Sequence, residues 1–273
     1  MKKITIWAYV IVCFFYNPVW AFDYEHNLFN QDLKLYVHNG LVDYQNWQKH
    51  QENLNLYIKE LAQISNQQLA KLSLNDQKAL WINAYNAFTI HLVLQFYPIQ
   101  GSIAYFPKNS IRQIYGIWDD YTLAIAGKRL SISELEHDIL RTLQDPRLHF
   151  VVNPATRDGG KLASKVYLAP NLDQELDLAQ ANFFIDKANL LIDDINKKIY
   201  VSRIFKWFPL DFACQSGCDI THYPAPTDQE IVFGYIKNNA PVLIKDAIIK
   251  KANYQIEFLK YNWSLNEFKS DLN

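Results

Sequence analysis

The strongest pattern runs from Ser73 to about Phe96. Leu80, Trp81, Ile82, Tyr85, Phe88, Ile90, Leu92 and Val93 leave no continuous polar face, so this helix is predicted to be buried on most sides. Ser73 and Asp76 stand at capping-box spacing, and Pro98 supplies the stop. Upstream, residues 25–64 read as two helices. Leu28, Leu33, Tyr36 and Val37 lead to Gly40, and Trp47, Leu54, Tyr57, Ile58 and Leu61 follow from Tyr44. Residues 110–115 suit one helical turn. Tyr121 to Ala126 alternates as a strand, with Ala126-Gly127-Lys128 turning into a second. Ser131 and Glu134 form a capping box opening a helix to about Leu143. Leu148 to Asn153 alternates and reads as a strand, placing His149 and Asn153 on one face. Residues 154–170 carry no periodicity. A helix is predicted over 172–186, a hairpin over 190–202, a capped helix from Thr227, a further helix after Pro241, and a strand over 254–259. The implied fold is α+β: a helical layer on a small, mainly antiparallel sheet. It forms one domain over 72–273, with an N-terminal helical extension over 22–71.

The first residues change the picture. Lys2 and Lys3 precede an apolar run, Ile4 to Tyr16, that is too short to span a bilayer comfortably. Val19 and Ala21 then offer a small-residue cleavage site. Residues 1–21 are expected to be a signal peptide cleaved after Ala21, making the protein periplasmic or secreted, with no membrane span after cleavage. The formal net charge is −1, and −3 without Lys2 and Lys3, which excludes the basic excess of a nucleic-acid binder. Aromatic residues make up 15%, which fits a substantial core. In an oxidising compartment Cys214 and Cys218, separated by Gln-Ser-Gly, are expected to form a disulfide; two free thiols are the alternative.

One polar grouping carries chemistry. Asn83 and Asn86 share a face of the buried helix. Glu136 and His137 lie on the capped helix, and His149 and Asn153 on the expected strand. If these faces converge, they offer a general base, an orienting carboxylate and amide donors. The structural alternative is that the asparagines bond loops and His149 bonds a backbone carbonyl. Arg141 follows His137 by four residues, and Arg112 is another candidate partner for Glu136. Trp118 is a candidate wall of a ligand groove. Glu136, His137 and His149 lack the spacing of a zinc motif, and no motif asks for a cofactor.

Eight short segments occur in a distinctive order: LWINAYNA at 80–87, SIRQI at 110–114, WD at 118–119, AGKRLS at 126–131, LEHDILR at 135–141, PRLHF at 146–150, FKWF at 205–208 with DF at 211–212, and YNWSLN at 261–266. Over about 72–267 the chain resembles the domain of unknown function 547 family. Members of that family typically carry a cysteine just after the His-Phe segment and a second one further on; this chain has Asn153-Pro154-Ala155-Thr156 instead. If the first cysteine is the family's nucleophile, its place is taken by Pro154, and Thr156 is a weak substitute without an adjacent base. The resemblance therefore implies two readings. One is a non-catalytic binding or scaffold protein for a protein, peptide or small-molecule ligand. The other is a hydrolase or acyl-transferase with a cysteine-peptidase-like site around His149.

Overall fold

The computed structural model describes residues 22–218 and 224–269. The expected signal peptide and its cleavage site lie outside the described residues. In chain order the elements begin with α1 (Asn27–Tyr36), the hairpin β1 (Val37–His38) and β2 (Leu41–Val42), α2 (Tyr44–Trp47), α3 (Glu52–Leu61) and α4 (Asn66–Leu69). The central α5 (Leu74–Phe96) follows, then the hairpin β3 (Leu123–Ile125) and β4 (Lys128–Leu130), and α6 (Ile132–Glu134). After α7 (Leu172–Ile185) come β5 (Leu190–Asp193), β6 (Lys198–Val201), α8 (Ile204–Trp207), α9 (Pro209–Ser216), α10 (Asp228–Asn239), α11 (Val242–Ile249) and β7 (Gln255–Phe258).

The fold is α+β, as the periodicity implies. Instead of one small sheet, the strands form two two-stranded hairpins and a three-stranded sheet in the order β5-β6-β7. In that sheet β5 pairs antiparallel with β6, and β7 runs parallel to it. The β3–β4 turn places Ala126 at φ 48° and Gly127 at φ 69°, a left-handed pair suited to a two-residue hairpin. Ser73, Ser131 and Thr227 all cap helices with their side chains, as their spacing predicts. Among the described residues no helix is long and apolar enough to cross a membrane.

Two apolar clusters build the interior. The first surrounds α5 and takes in Phe29, Leu33, Trp47, Leu54, Tyr57 and Leu61 from the N-terminal helices. The second lies between the three-stranded sheet and α7–α10, with Phe184, Phe205, Phe212 and Tyr235 buried together. Residues 146–152 run between them: Leu148, Val151 and Val152 enter the first cluster and Phe150 the second.

That position corrects one sequence expectation. Residues 148–153 are not a strand. Pro146–Phe150 is a 3₁₀ helix, begun by Asp145 accepting from the Arg147 N–H and by Pro146 in the first turn. Apolar residues facing two cores imitate alternation without a sheet. The single helix expected from Tyr44 is also broken, because Asp43 caps the short turn that buries Tyr44 and Trp47. A third correction concerns the cysteines. Cys214 and Cys218 are both free. Cys214 lies on α9 with its thiol toward the Asp211 carbonyl, whereas Cys218 follows the left-handed Gly217 and turns its thiol toward the Glu230 carbonyl.

Candidate functional site

The 3₁₀ helix at 146–150 is anchored from below by charge. Asp145 is buried and accepts from Lys78 Nζ at 2.7 Å and from Arg147 at 2.7 and 2.9 Å. Burial works against the Asp145 carboxylate, but the hydrogen bonds from Arg147 and Lys78 outweigh it and hold the group at about 2. Arg147 reaches on to Asp173 and Asp177 on α7. The segment that carries His149 is thereby tied to both α5 and α7.

His149 is 7% exposed. Its Nε2 lies 2.9 Å from Asp211 Oδ2, and its ring stacks on Phe208 at 4.6 Å with 19° between the planes. Asp211 stands in the first turn of α9, which Pro209 begins. Arg141 grips the same carboxylate with two bonds, Nε to Oδ2 at 2.6 Å and a terminal nitrogen to Oδ1 at 2.8 Å. Burial pushes Asp211 up, yet the bonds from Arg141 and His149 dominate and hold it well below the usual carboxylate range. Arg141 also passes over Phe208 at 5.0 Å and meets His137 Nδ1 at 3.0 Å. His137, Arg141, Asp211 and His149 thus form one chain around the Phe208 ring. Glu136 and His137 sit on the π-helical turns Leu135–Leu140, where the plain α-helix expected to run to Leu143 widens. Glu136 accepts from the Tyr85 hydroxyl at 3.3 Å.

Two clefts open on either side of this chain, and Glu136, His149 and Val152 line both. The larger, about 380 Å³, also has Arg141, Asp211 and Cys214 in its wall. The smaller, about 230 Å³, has Arg112, Trp118, His137, Pro154, Trp207 and Trp263. Trp207, Tyr261 and Trp263 pack on one another at 4.6–5.5 Å and make its aromatic side. Gly160 borders this cleft. A Cβ there would lie 2.6 Å from the Val152 carbonyl oxygen and 2.7 Å from the Phe150 backbone, so only glycine permits the close approach.

The structure therefore brings Glu136, His137, Arg141 and His149 together, and places Arg112 and Trp118 in the adjoining wall. It does not bring in the amides. Asn83 bonds both backbone groups of Tyr167, and Asn86 bonds the Val151 carbonyl and the Asn153 N–H. Neither lines these clefts, so neither supplies an oxyanion donor there. Asn153 does not share a face with His149. Its amide closes its own loop, accepting from Thr156 N–H at 2.9 Å and donating to the Gly160 carbonyl, and it borders a separate cleft of about 620 Å³. Thr156 is fully buried with its hydroxyl 2.6 Å from the Tyr261 hydroxyl.

Sequence reasoning missed Asp211, Tyr261 and Trp263 as site members. Asp211 lies 62 positions from His149, beyond any local periodicity. The signal that could have found it is the Phe-Pro-Leu-Asp start of α9, an acid in a helix's first turn just after an aromatic.

Fold and site together define an α+β protein with a histidine–carboxylate–arginine chain between two clefts. Residues 69–184 match the model of the family described as Protein of unknown function, DUF547, in keeping with the resemblance. The match ends before Asp211, so the similar segments at 205–212 and 261–266 lie beyond it. No curated protein and no solved structure matches the chain.

Proposed function

We propose that this protein is an exported, non-catalytic binding protein whose ligand occupies the clefts around His149. The observation that carries the reading is Pro154. It lines the smaller cleft with His149, at the position where the resemblance puts a cysteine, and proline has no nucleophile. The neighbouring hydroxyl of Thr156 is buried and engaged by Tyr261, which argues against its replacing a thiol. The helix amides that would polarise a carbonyl are held by backbone groups. What is left is a site with aromatic walls, two cations and a firmly oriented imidazole, which suits recognition. Export rests on Lys2, Lys3, the apolar run after them and the Ala21 site; N-terminal sequencing of the exported protein is expected to begin at Phe22.

A second reading, a hydrolase, is favoured by one observation. Cys214 lines the larger cleft with His149 and Asp211. Hydrolysis of p-nitrophenyl acetate and of a mixed peptide panel separates the two. The binding reading expects wild type, His149→Ala and Cys214→Ala to match the rate without protein. Turnover by the wild type that either substitution abolishes would replace it with the hydrolase.

A further inference from the structure

The smaller cleft contains a cation that no carboxylate answers. Arg112 is half-buried, and among the described residues no acid lies within ion-pairing distance of it. Its guanidinium carbon sits 4.5 Å from the Trp263 ring, 5.0 Å from Phe106 and 5.9 Å from Trp118. Cation–π contact of this kind holds the charge against the ring faces without using its N–H groups as hydrogen-bond donors. Among the described residues the buried Nε has no acceptor, and neither does the buried Trp118 Nε1. Both side chains border one cleft, although these two donor atoms are themselves closed off from solvent. Glu136 borders it too, but its carboxylate is engaged with the Tyr85 hydroxyl and does not pair with Arg112.

A cation that lines a cleft without a countercharge calls for an anionic acceptor. A guanidinium suits a planar acceptor in its own plane, which a carboxylate provides with two oxygens. The rest of the cleft is Trp207, Tyr261 and Trp263, which suit an aromatic body. Its 230 Å³ lies below the roughly 300–1,000 Å³ of drug-sized sites, so the occupant is small.

We infer that the cleft beside His149 binds a small aromatic carboxylate, its carboxylate anchored by Arg112 and its ring held among Trp207, Tyr261 and Trp263. The inference deepens the binding reading and rests on it. Burial without a countercharge already weakens the hold of Arg112 on its proton, and a bound carboxylate would restore it.

Calorimetric titration of the full chain with phenylacetate and indole-3-acetate, beside their neutral amides, tests the anchor. The acids are expected to bind wild type at least about tenfold more tightly than the amides, the scale of a charge-assisted hydrogen bond. Arg112→Met should erase that preference, and Arg112→Lys should keep part of it. Trp118→Phe, which keeps a ring and deletes only a sealed N–H, should leave the preference for the acid in place. Unchanged unfolding midpoints show that the variants fold. Equal binding of acid and amide, acid binding by Arg112→Met as by wild type, or no acid binding at about 10 mM would each overturn the inference. Equal binding would leave the broader binding reading standing. His149-dependent ester turnover would end that broader reading, and the same titrations would still decide the anchor.

Discussion

Asn86 uses both ends of one amide to hold the chain on either side of Val152. Its nitrogen donates to the Val151 carbonyl at 3.0 Å and its oxygen accepts from the Asn153 N–H at 2.9 Å, and all of these groups are buried. Alanine at 86 would leave a backbone donor and a backbone acceptor without partners in a dry interior. Each orphan costs about 1–3 kcal/mol, so Asn86→Ala is expected to destabilise the fold by about 2–6 kcal/mol. A urea titration reads this as a lower midpoint with an unchanged slope; a midpoint within about 0.5 kcal/mol of wild type would mean the clamp is dispensable. The residue types on α5 were legible in the sequence as buried amides in need of partners. Which groups they bond was not, because Tyr167 and Val151 lie 84 and 65 residues away.

At the scale of elements, local signals were readable wherever one segment decides its own state. The capped starts at Ser73, Ser131 and Thr227 and the Ala126-Gly127 turn need no distant partner. Residues 146–150 are different. Their apolar side chains enter two separate cores, so an alternating pattern arises in a helix, and the Asp145-Pro146 start is the better guide. The shared cleft of Glu136 and His149 was anticipated, whereas Asp211 reaches it only through the packing of α9. The buried ion cluster below this element gives a prediction of its own. Asp145→Ala strands Lys78, whose side chain is 10% exposed and, among the described residues, bonds only that acid. Breaking a buried pair on one side costs about 3–5 kcal/mol. Adding Lys78→Met to Asp145→Ala removes the stranded charge and is expected to recover part of the loss in the same denaturation assay; no recovery would show that the Asp145 cap, not the charge, carries the effect.

For the whole molecule, the N-terminal helices join α5 in one core, and a histidine buried in that core makes stability depend on pH. His26 is 2% exposed, and its Nδ1 lies 2.6 Å from the Tyr57 hydroxyl. Burial lowers it from 6.5 to about 4, against a small opposing pull from Asp23. The unfolded chain takes up this proton first as pH falls, so unfolding gains from every step below about 6.5 until the folded histidine also protonates near 4. The penalty reaches about 2 kcal/mol by pH 5 and about 3 kcal/mol at pH 4. Asp145 acts lower. Its depressed carboxyl stabilises the fold above its unfolded value of 3.8, and that stabilisation, about 2 kcal/mol, is lost as pH falls through about 2. Acid unfolding should therefore show two separate limbs, the upper one led by His26 and the lower one shared by Asp145 and Asp211. His26→Gln keeps a polar partner for Tyr57 but cannot take up the proton, so denaturant midpoints measured at pH 7.5 and 5 should differ far less in the variant than in wild type. The fall below pH 4 should be the same in both. If His26→Gln retains the full decline between pH 7.5 and 5, that limb belongs to another group and His26 is not held neutral by the core.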